Sequence, residues 1–393
     1  MLFAKHENEE LVLILDVQSS VVRGSVVKLN GAKESATPST DSQASSPQVL
    51  FTCNSNIPYK RGTDSNYLIK TTLKAIKDAV EASLRHLHSL SEVNHKRLKI
   101  TAVHYALSSP WTVSMAKSVS MTFPENREIT KALVQKMVDD ERAKIAPNSG
   151  DDVKVIEEKV FDIRLNGYSV SAWEGMKAKD LEVSFTVGVA GSRMADRFVE
   201  SVAHAVRADK VFFHSSLLLQ QIGLQKAMPE SDAYAMIYIH GELTDIAIVG
   251  KHASVFFGSF PWGVRTFIRK LAMSSGTDEH AADSLLALYT AKHLEGDDSK
   301  GNIAAIENLS KGWASEMKKL LAKAGETSLP THFIVSAWAH DDFFLSILKA
   351  DYPNTRLDLL ALDDLLAHVK FEHGTERRRL TSLYAIAINS FGN

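Results

Sequence analysis

The sequence predicts an α/β protein made of two related halves with a smaller unit inserted between them. Two strand-turn-strand stretches, LILDVQSSVVRGSVV from Leu13 and IYIHGELTDIAIV from Ile237, look alike and stand roughly 220 residues apart. Strands and helices alternate at both ends of the chain, the pattern of helices laid on sheets. The 393 residues exceed the size at which one core stops growing, so two or more domains of about 100–200 residues each are expected.

Residues 11–29 give two strands, rich in β-branched side chains and broken at Gln18-Ser19-Ser20. Residues 31–48 hold Ser, Thr, Ala and Pro without a bulky apolar side chain, so burial cannot offset the cost of ordering and a loop between strands is expected. Strand VLFTCNSNI follows. From Tyr67 to Leu90, apolar residues at Leu68, Ile69, Leu73, Ile76, Val80, Leu84 and Leu87 have the spacing of an amphipathic helix, with Asp64 as its N-cap. Strands KITAVHYALS and SVSMTF precede a helix from Ile129 to Ile145, which is charged on one face and terminated by Pro147-Asn148-Ser149-Gly150. Residues 153–190 contain three strand candidates, VKVIEEKVFDIRL, GYSVSAW and LEVSFTVGVA. Met194–Val206 is helical, and VFFHSSLLLQQIGL begins another strand-to-helix step. The second hairpin spans 236–260, and 264–324 is helical with a polar interruption at 295–302. The chain ends as strand HFIVSAW, helix DFFLSIL, strand RLDLLAL and a helix over Glu376–Ile388.

Composition excludes several function classes. Lys plus Arg (45) and Asp plus Glu (47) nearly cancel, and no basic block suits a nucleic acid partner. No run of roughly 18 apolar residues marks a membrane span, and the first ten residues lack the apolar core of a secretory signal. The single cysteine, Cys53, forms no internal disulfide and no cysteine-based zinc site, which fits a reducing compartment. The cytoplasm is the expected location, with the inner face of the membrane reached only through a partner. No GxSxG elbow or Walker-type loop is present. His86 and His88 point to different sides of a helix, and His204 and His214 have no evident ligand partner. Asp139-Asp140-Glu141 reads as a solvated helix face, and Arg377-Arg378-Arg379 as an exposed helix start.

The paired hairpins resemble those of the actin, Hsp70 and sugar-kinase superfamily, in which each half contributes a phosphate-binding turn to one cleft. Within it, the order of elements is similar to that of the FtsA and PilM families over nearly the whole length. The segment from ENREITKALVQKMVDDERAKI to FVESV resembles the small inserted domain of FtsA, FFGSFPWGVRTFIRKLA the segment after the second hairpin, and RRRLTSLYAIAINSFG the terminal helix. The resemblance implies an actin-like (ribonuclease H-like) duplicated two-lobed fold with an inserted FtsA-type (SHS2-like) α+β domain. On that frame, residues 1–94 are the first lobe, 95–190 the inserted domain, 191–263 the link and second-lobe core, 264–325 a helical subdomain, 326–375 second-lobe core, and 376–393 the helix returning to the first lobe.

The same resemblance nominates a nucleotide site. Such folds use a carboxylate in each hairpin to organise hydrated Mg²⁺, and glycines to let backbone N–H groups approach phosphate. Asp16, Ser19 and Ser20 match the first hairpin, with Gln18 where glycine is usual, and Asp16 is the candidate metal residue. Against the family pattern Asp-Ile-Gly-Gly-x-Thr-Thr-Asp, the second hairpin reads Tyr238, Ile239, His240, Gly241, Glu242, Leu243, Thr244 and Asp245, losing an acid, a glycine and a hydroxyl. Ala337 and Trp338 replace the paired glycines of the adenosine loop. Trp338 is either a stacking platform or a plug in an empty cleft, and its bulk favours the plug. His240 in a turn is a structural residue more often than a phosphate donor. Thr244 and Asp245 suit turn capping, and Glu242 a solvated loop carboxylate.

Three functions compete. The first is an FtsA-like scaffold with a degenerate site, holding no cofactor or only weak ATP with Mg²⁺, that binds protein partners of the division or pilus machinery and self-associates. The second is a working ATPase of the same fold. The third is a PilM-like cytoplasmic platform for pilus assembly, towards which the lack of an FtsA-type membrane helix after the terminal helix leans. Asp16 and His240 are expected to face each other across a cleft. LEVSFTVGVA and GYSVSAW either offer a strand edge to a partner or a neighbouring copy, or are both internal with the edge covered.

Overall fold

A computed structural model describes every residue except 1–8, 31–45, 60–63, 95–97, 146–152, 209, 230–232, 252–253, 295, 297–298, 326–328 and 393. Most of the 31–48 loop and the Pro147–Gly150 stop therefore lie outside the described residues.

Strands are numbered along the chain. The first sheet contains β1 (Glu9–Val17), β2 (Val21–Asn30), β3 (Gln48–Asn56), β4 (Ala102–Leu107), β9 (Lys210–Ser215) and the short β15 (Lys370–Phe371). Their order is β15-β3-β2-β1-β4-β9. The second sheet contains β10 (Tyr234–Ile239), β11 (Thr244–Val249), β12 (Ser254–Phe260), β13 (His332–Ala337) and β14 (Arg356–Leu359), in the order β12-β11-β10-β13-β14. In each sheet an antiparallel three-strand meander is followed by two strands parallel to its first strand. The likeness of the two hairpins thus extends to the whole strand order, apart from β15.

Strand β1 reads as an unbroken apolar run because both its faces are buried. Leu11, Leu13, Leu15 and Val17 face α1 (Ser65–Asn94) and α3 (Ser192–Val206), whereas Val12 and Ile14 face a second core. Alternation puts Asp16 on the face of Val12 and Ile14. In the second sheet, Tyr234, Met236 and Tyr238 face that same core, while Ala235, Ile237 and Ile239 face a helical layer. The shared core contains α4 (Ser216–Ala227) and α10 (Arg379–Asn389), both buried along nearly their whole length, and Leu365 of the short α9 (Leu362–Leu366). These two helices cross closely: a Cβ at Gly223 would fall 2.4 Å from the Leu383 carbonyl oxygen. The terminal helix therefore joins both sheets through α4 and does not return to the first half alone.

The helical layer comprises α5 (Val264–Ser275), α6 (Glu279–Thr290), α7 (Lys300–Ala322) and α8 (Asp341–Asp351), with Trp313 fully enclosed. Asp278 caps α6 through the Ala281 N–H at 2.8 Å, and Gly276 ends α5 in the left-handed region at φ 65°.

A third sheet, ordered β5-β8-β6-β7, comprises β5 (Thr112–Glu128), β6 (Val153–Leu165), β7 (Tyr168–Ser169) and β8 (Lys177–Gly191), and packs on α2 (Lys131–Arg142). One expectation is corrected here and one alternative decided. The KITAVHYALS strand, placed at the start of a 95–190 insert, is β4 and pairs in parallel with β1; β9, assigned to the link, pairs with β4. Every residue of β4 is buried, so its apolar run is that of a parallel core strand, and the extra sheet begins only at β5. LEVSFTVGVA lies in β8, an interior strand with both edges paired, and GYSVSAW contributes only the two residues of β7. Among the described residues, the free edges are those of β5, of β7 and of most of β6, which β7 covers only at Arg164 and Leu165.

Candidate functional site

Both hairpins close in the same way. Val17 pairs with Val22 and Ile239 with Thr244, leaving four-residue turns, so Asp16 stands across from Arg23 and Tyr238 across from Asp245. Because the two sheets face each other, these residues meet in the core between them.

Asp16 is buried and its Oδ2 accepts from Gln18 Nε2 at 2.8 Å and Arg23 Nη1 at 3.2 Å. The same two donors reach the Tyr238 hydroxyl, each at 3.4 Å. Tyr384 of α10 lies 2.6 Å from Ser216 Oγ on α4 and points its hydroxyl at Asp16 Oδ1 from 3.5 Å. Burial raises the Asp16 carboxyl above its usual range, and Arg23, Gln18 and His240 offset part of that rise. Burial alone would lower the Arg23 guanidinium, but Tyr238 and Asp16 more than compensate and hold it as a cation. Burial likewise raises the phenols of Tyr238 and Tyr384. The result is a buried polar network drawing on both sheets and both central helices.

The turns touch. A Cβ at Gly241 would lie 2.1 Å from Ser20 Oγ and 2.7 Å from Ser20 Cβ, so no cleft separates the hairpins as had been expected. Ser19 and Ser20 are buried with unpartnered hydroxyls. His240 is fully buried, and its Nε2 donates to Asp245 Oδ2 at 2.8 Å. Thr244 Oγ1 donates to the Trp262 carbonyl at 2.8 Å. The first N–H groups of α5 serve the turn itself: Val264 N donates to the His240 carbonyl at 2.9 Å and Arg265 N to that of Gly241 at 2.7 Å. These are the donors that a helix N-terminus would otherwise present to an anion.

Glu242 is not a solvated loop carboxylate. It accepts from both terminal nitrogens of Arg269 and from Thr266 Oγ1 at 2.9 Å. Arg269 also lies over the Tyr59 ring at 3.7 Å, and Arg265 bonds Asn56 Oδ1 at 3.4 Å, so one face of α5 reaches across to the first half. Trp338 is half-buried, its backbone N–H bonded to the Ile239 carbonyl at 2.8 Å and its ring covered by the Arg265 guanidinium at 4.6 Å. The Ala337 N–H is taken by Asp341 Oδ1 at 2.7 Å.

A magnesium ion does not fit this donor set. It keeps several waters and binds through one or two carboxylates, whereas the Asp16 carboxylate already faces an internal cation, Arg23, at 3.2 Å, and the Asp245 carboxylate is taken by His240 at 2.8 Å. Nucleotide phosphates fit no better, since the turns that would cradle them are in van der Waals contact and the α5 donors are used.

Several contributors escaped the sequence reading. Arg23 is a lone charge in an inward-facing strand, legible only once its cross-strand partner Asp16 is known. Arg265 and Arg269 carried a helical i, i+4 spacing that could have flagged one basic face. Tyr384 and Ser216 gave no signal. Elsewhere, His214 pairs with His104 at 3.0 Å and His86 stacks on Phe51, so neither joins a metal cluster. Arg378 pairs with Glu376 and Arg379 with Asp341, correcting the expectation of a wholly exposed arginine run.

The same architecture recurs in known proteins. The chain is similar to the solved PilM–PilN type IV pilus biogenesis complex, with TM-score 0.60 and 12% identity over 96% of either chain. Looser likenesses include the ethanolamine utilization protein EutJ from Carboxydothermus hydrogenoformans, at TM-score 0.44 and 10% identity over 96% of this chain and 88% of that one. A Bacteroides thetaiotaomicron protein of actin-like ATPase fold follows at TM-score 0.38 and 7% identity, over 98% and 99%. The PilM match gives the chain the actin-like ATPase fold; at 12% identity it speaks to the fold alone. No family model matches the sequence, and no curated protein does.

Proposed function

We propose that this chain is an actin-like scaffold that binds protein partners without turning over nucleotide. The observation carrying this reading is the contact of Gly241 with Ser20, which leaves the two phosphate turns packed on each other. The internal pairs Asp16 with Arg23 and Glu242 with Arg269 supply the charge compensation that Mg²⁺ and phosphate supply in a working site. Of the residues nominated for nucleotide binding, Asp16, Gln18, Ser19, Ser20, His240, Gly241 and Asp245 then serve to join the two halves, and Trp338 seats Arg265.

The partner surfaces assigned by this reading lie away from that seam. Val113, Met121, Tyr168 and Met176 are exposed on the third sheet and its loops, and Met273 and Leu288 on the helical layer. The fold match to PilM, solved in complex with PilN, supports a pilus-type platform over a division protein among the scaffold alternatives. No helix among the described residues is long and apolar enough to cross a membrane, and the reading places the chain in the cytoplasm, with membrane contact through its partner.

Titration calorimetry with Mg-ATP tests the proposal. No saturable heat is expected at nucleotide concentrations up to the millimolar range. Low-micromolar binding abolished by Asp16→Ala would replace the scaffold with an ATPase whose halves open in solution.

A further inference from the structure

The third sheet is joined to the rest of the chain at one end. Its ladders pair Thr112 with Ala190 and Val153 with Gly191, so β5 and β6 start, and β8 stops, at that end. The sheet also has its own core, in which Met137 and Val138 of α2 pack with Val183, Phe185 and Val187 of β8. A unit with its own core and a single attached end can shift against its neighbour while staying folded.

Strand β6 seats this unit on the body. Two β-bulges leave Ile156 and Phe161 without partners on β8. Ile156 packs on the core of the first half and Phe161 on the core between the sheets. The first bulge also sets Glu157 opposite Gly188. Glu157 Oε2 accepts at 2.9 Å from the N–H of Ser215, where β9 meets α4, whereas Oε1 is enclosed and unpartnered. The carboxyl lies close against the β8 backbone: a Cβ at Gly188 would fall 2.6 Å from Oε1 and 2.7 Å from Cγ.

Among the described residues no cation bonds this carboxyl. Lys154 of β6 holds Asp196 of α3 at 3.1 Å, Arg142 of α2 bonds Glu158 at 3.1 Å, and Lys159, the next residue on that face of β6, is exposed. On β9, His214 lies 3.0 Å from His104 of β4, and burial, with His104 beside it, drives His214 down to about 3, so it is neutral. β8 presents Gly188 between two valines, and α4 opens with Ser216, which is bonded to Tyr384.

We propose that Glu157 is a proton-operated latch: the neutral side chain seats the third sheet on the first, and the ionised one releases it. A buried carboxylate without a compensating charge is costly, whereas the neutral acid keeps its bond to Ser215 at much lower cost. Burial pushes the seated carboxyl up to about 8, against an ordinary 4.5 once released into water. Seating is therefore strongest below pH 4.5, weakens by up to about tenfold per pH unit as pH rises towards 8, and levels off above it. The latch goes beyond the scaffold reading and does not depend on it.

Hydrogen exchange of the full chain from pH 5.5 to 7.5, read by mass spectrometry, tests the latch. Parent and Glu157→Gln are compared at each pH, so that intrinsic amide rates cancel. The variant stays neutral, so the ratio of parent to variant exchange over segments 153–158 and 210–216 should rise by about tenfold per pH unit, at times when β10 and β13 are still protected. Gly188→Ala drives a methyl group onto the carboxyl and should speed exchange in the same two segments already at pH 5.5. A constant ratio across the pH range would overturn the latch. So would contact segments that exchange only together with β10 and β13, which marks global unfolding, or a Gly188→Ala protein as protected there as the parent. Mg-ATP titration reads none of these segments, so failure of the latch and failure of the scaffold reading are told apart.

Discussion

Gly241→Ala perturbs the contact on which the functional reading depends, and its cost can be worked from the geometry. The added Cβ would sit 2.1 Å from Ser20 Oγ and 2.7 Å from Ser20 Cβ. Carbon pairs pack at about 3.5–4.0 Å, so the turns must separate by roughly 1 Å. Gly241 does not have a left-handed φ, so alanine is otherwise acceptable there and the penalty comes from the contact. Overpacking of this kind costs about 1–3 kcal/mol. Ser20→Gly removes both clashing atoms and breaks no hydrogen bond, since Ser20 Oγ has no partner; its own cost is the roughly 0.5–1 kcal/mol of backbone freedom. In the double variant most of the alanine penalty should vanish, leaving a coupling energy of about 1–2 kcal/mol. Urea unfolding of the four proteins, followed by tryptophan fluorescence, reads this directly, because Trp111 donates to the Gln18 carbonyl and the Trp338 N–H to that of Ile239. Additivity within about 0.5 kcal/mol would mean that the turns do not touch in solution, and the argument for a closed phosphate seam would fail.

Arg23→Met should cost about 3–5 kcal/mol by leaving Asp16 buried without its cation. Arg23 lowers the Asp16 carboxyl, so removing it favours the protonated form further and the loss should shrink on acidification; an equal loss at neutral and acid pH in urea titrations would contradict the pairing. Glu157 has a carboxyl enclosed against the Ser215 N–H at 2.9 Å, with its other oxygen unpartnered, and burial pushes it up to about 8. A folded pKa above the unfolded value means that the native state binds the extra proton. Stability from this group is therefore complete below pH 4.5 and falls as pH rises towards 8, by on the order of 1 kcal/mol per pH unit. Glu157→Gln keeps an acceptor for Ser215 and should flatten that slope, as urea midpoints from pH 5 to 8 will show; a slope identical to that of the parent protein would refute it. Gly223→Ala forces a methyl group against the Leu383 carbonyl and should cost roughly 3 kcal/mol, read as a lowered thermal midpoint; no change would mean that the helices are farther apart than described.

The duplicated hairpins were legible because runs of β-branched residues and a polar break are local signals. Leu11 to Val17 announced a strand, and the second hairpin repeated the pattern. Sheet membership was not local. Nothing in AVHYAL says whether it pairs with β1 or opens the insert, since a buried parallel strand reads alike in either place. The same limit left LEVSFTVGVA open between edge and interior, because an interior strand differs from an edge strand in its neighbours and not in its own residues. At the site, the departures at Tyr238, His240 and Trp338 were visible as losses. What replaced the lost groups was invisible, because Arg23, Arg269 and Tyr384 meet the hairpins only through tertiary packing.

The crossing of α4 and α10 bears on how such a body could serve two partners at once. Backbone meets backbone at Gly223 and Leu383, and both helices are enclosed by the two sheets. Rocking one sheet against the other would drag a main-chain contact out of register, whereas a side-chain contact could simply change rotamer. The third sheet and the helical layer are each fastened to one side of this joint. On the proposed scaffold reading, their outer faces are then held at a set span and angle, and the protein is a gauge that fixes how far apart, and how turned, two bound components must stand.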